Sequence, residues 1–182
     1  MKITIIAVGK IKEKFYRDAL AEYAKRLGKY CRFETIEVED EKTPDKAGEA
    51  LDNQIKEKEA LRILKHVRED AHVVTLEIQG QKMDSIAFAR KIEKLATYGT
   101  SHIQFIIGGS LGLHEKVSQR ADEKISFSDL TFPHQLVRVL LAEQIYRGYR
   151  IICGEPYHKR GRKGAGVESN YIKEKKKNSI LS

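Results

Sequence analysis

Two kinds of apolar spacing take turns along this chain, and together they predict its elements. Residues 3–8, Ile-Thr-Ile-Ile-Ala-Val, form a short, β-branched, continuous run, the pattern of a strand buried on both faces. Phe15, Ala19, Leu20, Tyr23 and Leu27 then recur at three- and four-residue steps, an amphipathic helix stopped at Gly28. Residues 32–38 alternate polar and apolar, which suits an edge strand. Residues 39–53 are acidic and contain Pro44 and Gly48, so a loop is expected, followed by a helix over 54–66 with Ile55, Leu61 and Leu64 turned inward. Residues 72–78 are a second buried strand ended by Gln79-Gly80, and residues 102–107 are a third. Between them, residues 84–97 open on an Asp or Ser cap and run as a helix. A short helix over 114–121, a short strand over 124–128 and a long apolar helix over 134–152 complete the series. Strands alternating with helices predict an α/β fold: a mostly parallel sheet with helices on both faces.

Composition narrows the class. With 182 residues, 41% hydrophobic and 33% charged, the chain can bury one full core. No apolar run reaches the roughly 20 residues that span a bilayer, so no membrane partner is expected. The apolar start, Met1 to Gly9, is too short for a signal peptide and no small-residue cleavage site follows it; a cytoplasmic protein is expected. Cys31 and Cys153 have no metal-ligand spacing and suggest no disulfide scaffold, so the expectation is no metal and a reducing compartment. The net charge of +8 is uneven: residues 1–158 hold 26 Lys/Arg against 24 Asp/Glu, and residues 159–182 hold 8 against 2. The chain therefore divides into a near-neutral single domain, 1–158, and a basic C-terminal extension, 159–182, read as flexible. A basic run of that kind attracts phosphate through counterion release.

Three stretches carry candidate chemistry. In "QFIIGGSLGL" an apolar strand stops on Gly108, Gly109, Ser110 and Gly112. The spacing is neither the dinucleotide fingerprint nor a phosphate-gripping P-loop, which argues against a nucleotide-dependent oxidoreductase. Two readings stay open: a tight turn that needs glycine, or bare backbone lying against a flat ligand. In "SFSDLTFPHQ" polar and aromatic residues alternate between a strand and a helix, with Pro133 near the helix start. The helix "HQLVRVLLAEQIYRGYRI" is apolar around much of its girth yet carries Arg138, Glu143, Arg147 and Arg150. Those charges either line its wet stripe or face a pocket at a subunit interface.

The combination of "VTLEIQG", "FIIGGSLGLHEKV", "ISFSDLTFPHQLVRVLLAEQIYRGYRI" and "GEPYHK", with the opening "MKITIIAVGKIKEKFYRDALAEYAKRLGKY", resembles the ribosomal RNA large subunit methyltransferase H family. The resemblance runs in order over the whole body of the chain. It implies a SPOUT-class fold with a C-terminal trefoil knot and a homodimer that uses S-adenosylmethionine. The reaction it implies is methylation of N3 of a pseudouridine in 23S ribosomal RNA of the assembled ribosome. By motif, cofactor contacts fall on Leu76, Gly108, Phe127, Ser128, Asp129, Leu130, Thr131 and Phe132. This chain departs from the family in continuing past "YHK" for 23 residues.

For the reaction itself, the pseudouridine imino proton must leave before the nitrogen can attack, so a base or a field favouring the anion is needed. His134, Glu143 and His158 are candidate bases, and Arg147 a candidate for stabilising the anion. Tyr157 could stack on a nucleobase and His158 hydrogen-bond it. Blander roles stand beside these: a cap for His134, and an ordinary i,i+4 helix pair for Glu143 and Arg147. No residue stands out as the base, and a non-catalytic ribosome- or RNA-binding factor on the same fold is the alternative function.

Overall fold

The computed structural model describes residues 1–46 and 48–159, so the basic extension beyond Lys159 lies outside the described residues. Ten elements follow in chain order: β1 (Lys2–Val8), α1 (Lys14–Leu27), β2 (Arg32–Val38), α2 (Glu49–Leu64), β3 (His72–Lys82), α3 (Ser85–Thr97), β4 (His102–Ile107), α4 (Glu115–Arg120), β5 (Glu123–Ser126) and α5 (His134–Ile152). The strands form one sheet in the order β2-β1-β4-β3-β5, every pair parallel. The α/β class read from the sequence is thus the class observed.

The period of two along the strands builds two cores. Ile3, Ile5 and Ala7 of β1 and Ile103, Phe105 and Ile107 of β4 pack with Leu27, Phe88, Leu141 and Ile145 from α1, α3 and α5. Ile6, Val8 and Ile106 point the other way, against Ala60 and Ile63 of α2 and Val117 of α4. Because both faces are covered, β1 and β4 can be apolar almost throughout, which is why they read as continuous runs.

Four readings need correction. The helix α2 starts at Glu49, not near residue 54: Gly48 takes the extended cap position, and Glu49 and Asp52 in the first turn favour the positive helix end. On α2, Ile55, Ala60 and Ile63 face the core, and Leu61 is turned to solvent. On α1, Phe15 is 62% exposed rather than part of the inner face. Lastly, β3 does not stop at Gly80 but continues to Lys82.

Arg138 follows neither expectation for the charges of α5. Its side chain is wholly buried, donating from Nη2 to the carbonyls of Val8 (2.7 Å) and Gly9 (2.9 Å), and from Nη1 to Glu37 Oε2 at 2.9 Å. A buried guanidinium is costly unless its donors are used; here both terminal nitrogens are bonded, one of them to a carboxylate, while Nε has no hydrogen-bond partner among the described residues. Arg138 fastens α5 to the C-terminal end of β1.

Candidate active site

A break in strand pairing shapes the site. Leu76 and Gln81 of β3 both align with Ile125 of β5, so residues 77–80 stand out of register as a bulge. Such bulges re-aim backbone and side chains beside functional sites. Gly80 makes this one possible: a Cβ there would lie 2.4 Å from the carbonyl carbon of Ile125 and 2.6 Å from its oxygen. Only a residue without a side chain lets the two backbones pass.

Opposite the bulge, β4 runs out into the loop 108–112. Gly112 has a left-handed φ of +84°, its amide donates to the Gly109 carbonyl at 3.1 Å, and Gly109 and Gly112 bridge each other. A Cβ on Gly108 would sit 2.8 Å from the Gly112 carbonyl carbon. Gly108 and Gly112 therefore let the loop fold onto its own backbone, while Gly109 makes room for Val8 and Glu59. Of the two readings left open by the sequence, the tight turn accounts for their small size.

Bulge, glycine loop and the loop between β5 and α5 enclose a cavity of about 730 Å³. Leu76, Gly108, Phe127, Ser128, Leu130, Thr131 and Phe132 all line it, and so does His134. Asp129 lies on the same loop but not on the cavity wall; it pairs with Lys82 at the end of β3. Ser128 holds the loop, its Oγ accepting from the Leu130 amide at 3.0 Å. Burial, aided by the Arg138 guanidinium, lowers the pKa of His134 below the ordinary histidine value. The shift favours the uncharged imidazole, the form with a ring nitrogen free to accept a proton.

Glu143, Arg147, Tyr157 and His158 form a second group. Arg147 grips Glu143 Oε1 through Nη2 (2.6 Å) and Nε (3.1 Å), and the same oxygen accepts from the Tyr157 hydroxyl at 3.2 Å. Arg147 Nη1 stands 3.3 Å from His158 Nδ1, and its guanidinium carbon lies 4.7 Å from the centre of the Tyr157 ring. Burial and the Glu143 charge push the Tyr157 hydroxyl up to about 12, so it stays a proton donor. His158 borders a further cavity of about 500 Å³, separated from the first by the shared residues Ile125, Ser126, Phe127 and Phe132. Within one chain the group does not reach the larger cavity: Glu143 is nine residues past His134 on α5, about 14 Å along the axis at 1.5 Å per residue.

Sequence reasoning missed Glu77, Ile78 and Gln79, which wall the cavity from the bulge. A signal was present, because apolar and polar residues keep alternating from Leu76 through Gln79. Also missed was Glu59 of α2, 5% exposed, whose carboxylate accepts from the Glu41 amide at 3.1 Å behind Gly109. Among the described residues, no cluster of three or more His, Cys, Asp or Glu could hold a metal ion, and no helix is long and apolar enough to cross a membrane.

Comparison with known proteins bears on this arrangement. The profile described as "Predicted SPOUT methyltransferase" matches residues 1–158. The "Ribosomal RNA large subunit methyltransferase H" of Bifidobacterium adolescentis is 60% identical over 159 residues, covering 87% of this chain and all of that protein. Proteins of the same name from Clostridium botulinum (strain Kyoto / Type A2) and Clostridium kluyveri (strain ATCC 8527 / DSM 555 / NBRC 12016 / NCIMB 10680 / K1) are 56% and 55% identical over the same coverage. Membership at this level implies the trefoil knot for the C-terminal half. The parallel five-stranded fold, the cavity between bulge and glycine loop, and identity along the whole body agree: the chain belongs to the ribosomal RNA large subunit methyltransferase H family of SPOUT methyltransferases.

Proposed function

We propose that the protein methylates N3 of a pseudouridine in 23S ribosomal RNA of the assembled ribosome. In this reading it takes the methyl group from S-adenosylmethionine and acts as a cytoplasmic homodimer. The observation that carries the reading is the cavity of about 730 Å³ whose wall holds seven of the eight residues expected to bind the cofactor. Its size suits a nucleoside cofactor, and its apolar walls with a few exposed backbone groups suit an adenine ring. Leu76, Gly108 and the 127–132 loop would hold S-adenosylmethionine, which supplies an electrophilic methyl group on a sulfonium.

The rest of the work belongs to the chain. Aligning the nucleophile with the methyl carbon and excluding water is worth roughly 7–11 kcal/mol of barrier. His134, on the cavity wall and shifted toward its uncharged form, is suited to accept the imino proton. Arg147 is suited to stabilise the anionic base that remains, with His158 at hydrogen-bonding distance from its guanidinium and the Tyr157 ring beneath it. Since about 14 Å of helix separates His134 from Glu143 and about 20 Å separates it from Arg147, a second copy that presents its own group to this cavity would bring the two to one methyl group. That is the role of the homodimer.

The test incubates ribosomes lacking the modification with the protein and isotopically labelled S-adenosylmethionine, then identifies the labelled nucleoside by mass spectrometry. Label on 3-methylpseudouridine is expected. Cofactor binding without label would instead favour a non-catalytic ribosome-binding factor. Shared sites have their own signature. His134→Ala and Arg147→Ala homodimers should each be nearly inactive. Mixing and re-annealing the two should restore roughly a quarter of wild-type activity, because half the dimers then hold one intact site of two. No recovery would mean that both residues serve the same chain's cavity.

A further inference from the structure

We propose that the segment from Gly9 to Phe15, between β1 and the first turn of α1, is a ribosomal RNA contact in which Lys10 and Lys12 grip phosphate and Phe15 stacks on an unpaired base. The proposal rests on the RNA-methylating reading above and adds a surface that reading does not use.

Apart from the buried Ile11, the segment's side chains are exposed while its backbone is fixed. Lys10, Lys12 and Phe15 face solvent, and Phe15 is 62% exposed. Beneath them, Arg138 holds the Gly9 carbonyl at 2.9 Å and Glu37 accepts the Ile11 amide at 2.8 Å. Gln135 Oε1 accepts from Lys12 (2.8 Å) and Glu13 (3.4 Å), while Arg17 Nη1 donates to the carbonyls of Ile11 (3.1 Å) and Lys12 (2.7 Å). Four side chains from three elements therefore spend their hydrogen bonds on one surface loop. A loop fixed before binding loses little entropy on binding, which is the advantage of preorganisation.

Its charge is local and unspent. Residues 10–17 hold Lys10, Lys12, Lys14 and Arg17 against Glu13 alone, in a body that is otherwise almost balanced. Lys14 is engaged with Asp18 at 2.6 Å, whereas the ammonium groups of Lys10 and Lys12 form no ion pair among the described residues. Two acidic groups face the loop from β2's side: Glu37, which is paired with Arg138, and Asp40, from which a Cβ on Gly9 would lie 3.7 Å. Phe15 leans on Tyr16 at a tilt of 55°, with ring centres 4.3 Å apart, and stays 62% exposed. Paired cations beside an exposed aromatic ring are the elements of single-stranded RNA binding.

The placement suits a strand whose target base enters the cavity. A Cβ on Gly9 would stand 3.6 Å from His134 Nε2, and Gln135, which pins the loop, is the next residue of α5. The loop thus adjoins the cavity wall at the α5 N-terminus.

The test measures binding of full-length protein to ribosomes lacking the modification across a salt series. Wild type, Lys10→Ala/Lys12→Ala and Phe15→Ala are compared, with the unfolding temperature and S-adenosylmethionine affinity of each free protein as controls. The double lysine variant should bind about 10-fold more weakly, with a log-affinity against log-salt slope shallower by about 1.5, since each phosphate contact contributes roughly 0.7–0.9. Phe15→Ala should also bind about 10-fold more weakly, with its slope unchanged. Variants that bind as tightly as wild type would overturn the loop proposal and leave the methyltransferase reading standing. Wild type that does not bind ribosomes at all would overturn both. Weaker binding accompanied by a fall in unfolding temperature would assign the loop a structural role instead.

Discussion

The two walls of the cavity both depend on glycine, but for different reasons. The loop 108–112 advertises itself with three glycines, yet Gly108 passes close over the backbone of Gly112, Gly109 sits against Val8 and Glu59, and Gly112 supplies a left-handed turn. The bulge 77–80 contains one glycine, which the sequence presents as a strand end, and it lets β3 cross β5 at a distance no side chain tolerates. A glycine's task is set by what lies opposite it, and a sequence displays the glycine without the opposite partner.

The sharpest way to break that comparison is Gly80→Ala. Its Cβ would meet the Ile125 backbone at 2.4 Å, and backbone cannot rotate away as a side chain can. A loss of about 3 kcal/mol is expected, read as a lower midpoint in chemical denaturation, with cofactor affinity falling as the bulge shifts. Gly108→Ala should cost about 2 kcal/mol by the same measurement, because the Gly112 carbonyl carbon at 2.8 Å belongs to a surface loop that can give way. Gly112→Ala meets nothing within 4 Å and is strained only by its φ of +84°, so about 1 kcal/mol is expected. Should Gly108→Ala prove costlier than Gly80→Ala, the bulge would be the more yielding wall and the comparison would invert.

The smallest effect concerns the carboxylate behind the glycine loop. Burial raises the pKa of Glu59, with the neighbouring Asp40 and Glu41 charges adding to the rise, although the Glu41 amide opposes it. A carboxyl whose folded pKa is raised stabilises the fold least when ionised, so its contribution weakens as pH climbs past the ordinary carboxylate range. Glu59→Gln should therefore gain about 0.5 kcal/mol at pH 8 and little at pH 4.5, measured by urea denaturation at the two values.

Legibility followed burial on two faces. Residues 3–8 and 102–107 read correctly because both faces of those strands are covered, leaving no polar position to blur the run. The end of β3 was hidden because its second half is half-exposed and polar, the composition of a loop, although its alternation is that of a strand. Phe15, Leu61 and Arg138 were misjudged for one reason: residue type predicts the average environment, and each is an exception made by its neighbours. Arg138 is buried because carbonyls of β1 and a carboxylate of β2 await it, partners more than a hundred residues away. In the site, the "GGS" and "FSDLTF" loops were legible through family resemblance. The bulge facing them was not, because no motif marks a register shift.

The Arg138 fork also has a consequence for how the chain reaches its structure. It joins residues 130 and 129 positions apart, Val8 and Gly9 to the last helix, and the same helix supplies Leu141 and Ile145 to the core under β1 and β4. Contacts of such sequence separation slow folding, because long loops must close before they are rewarded. During synthesis the first strand therefore waits for nearly the whole body to be made. Until α5 emerges, the apolar face of the sheet lies open, and that interval is when the nascent protein is most exposed to aggregation.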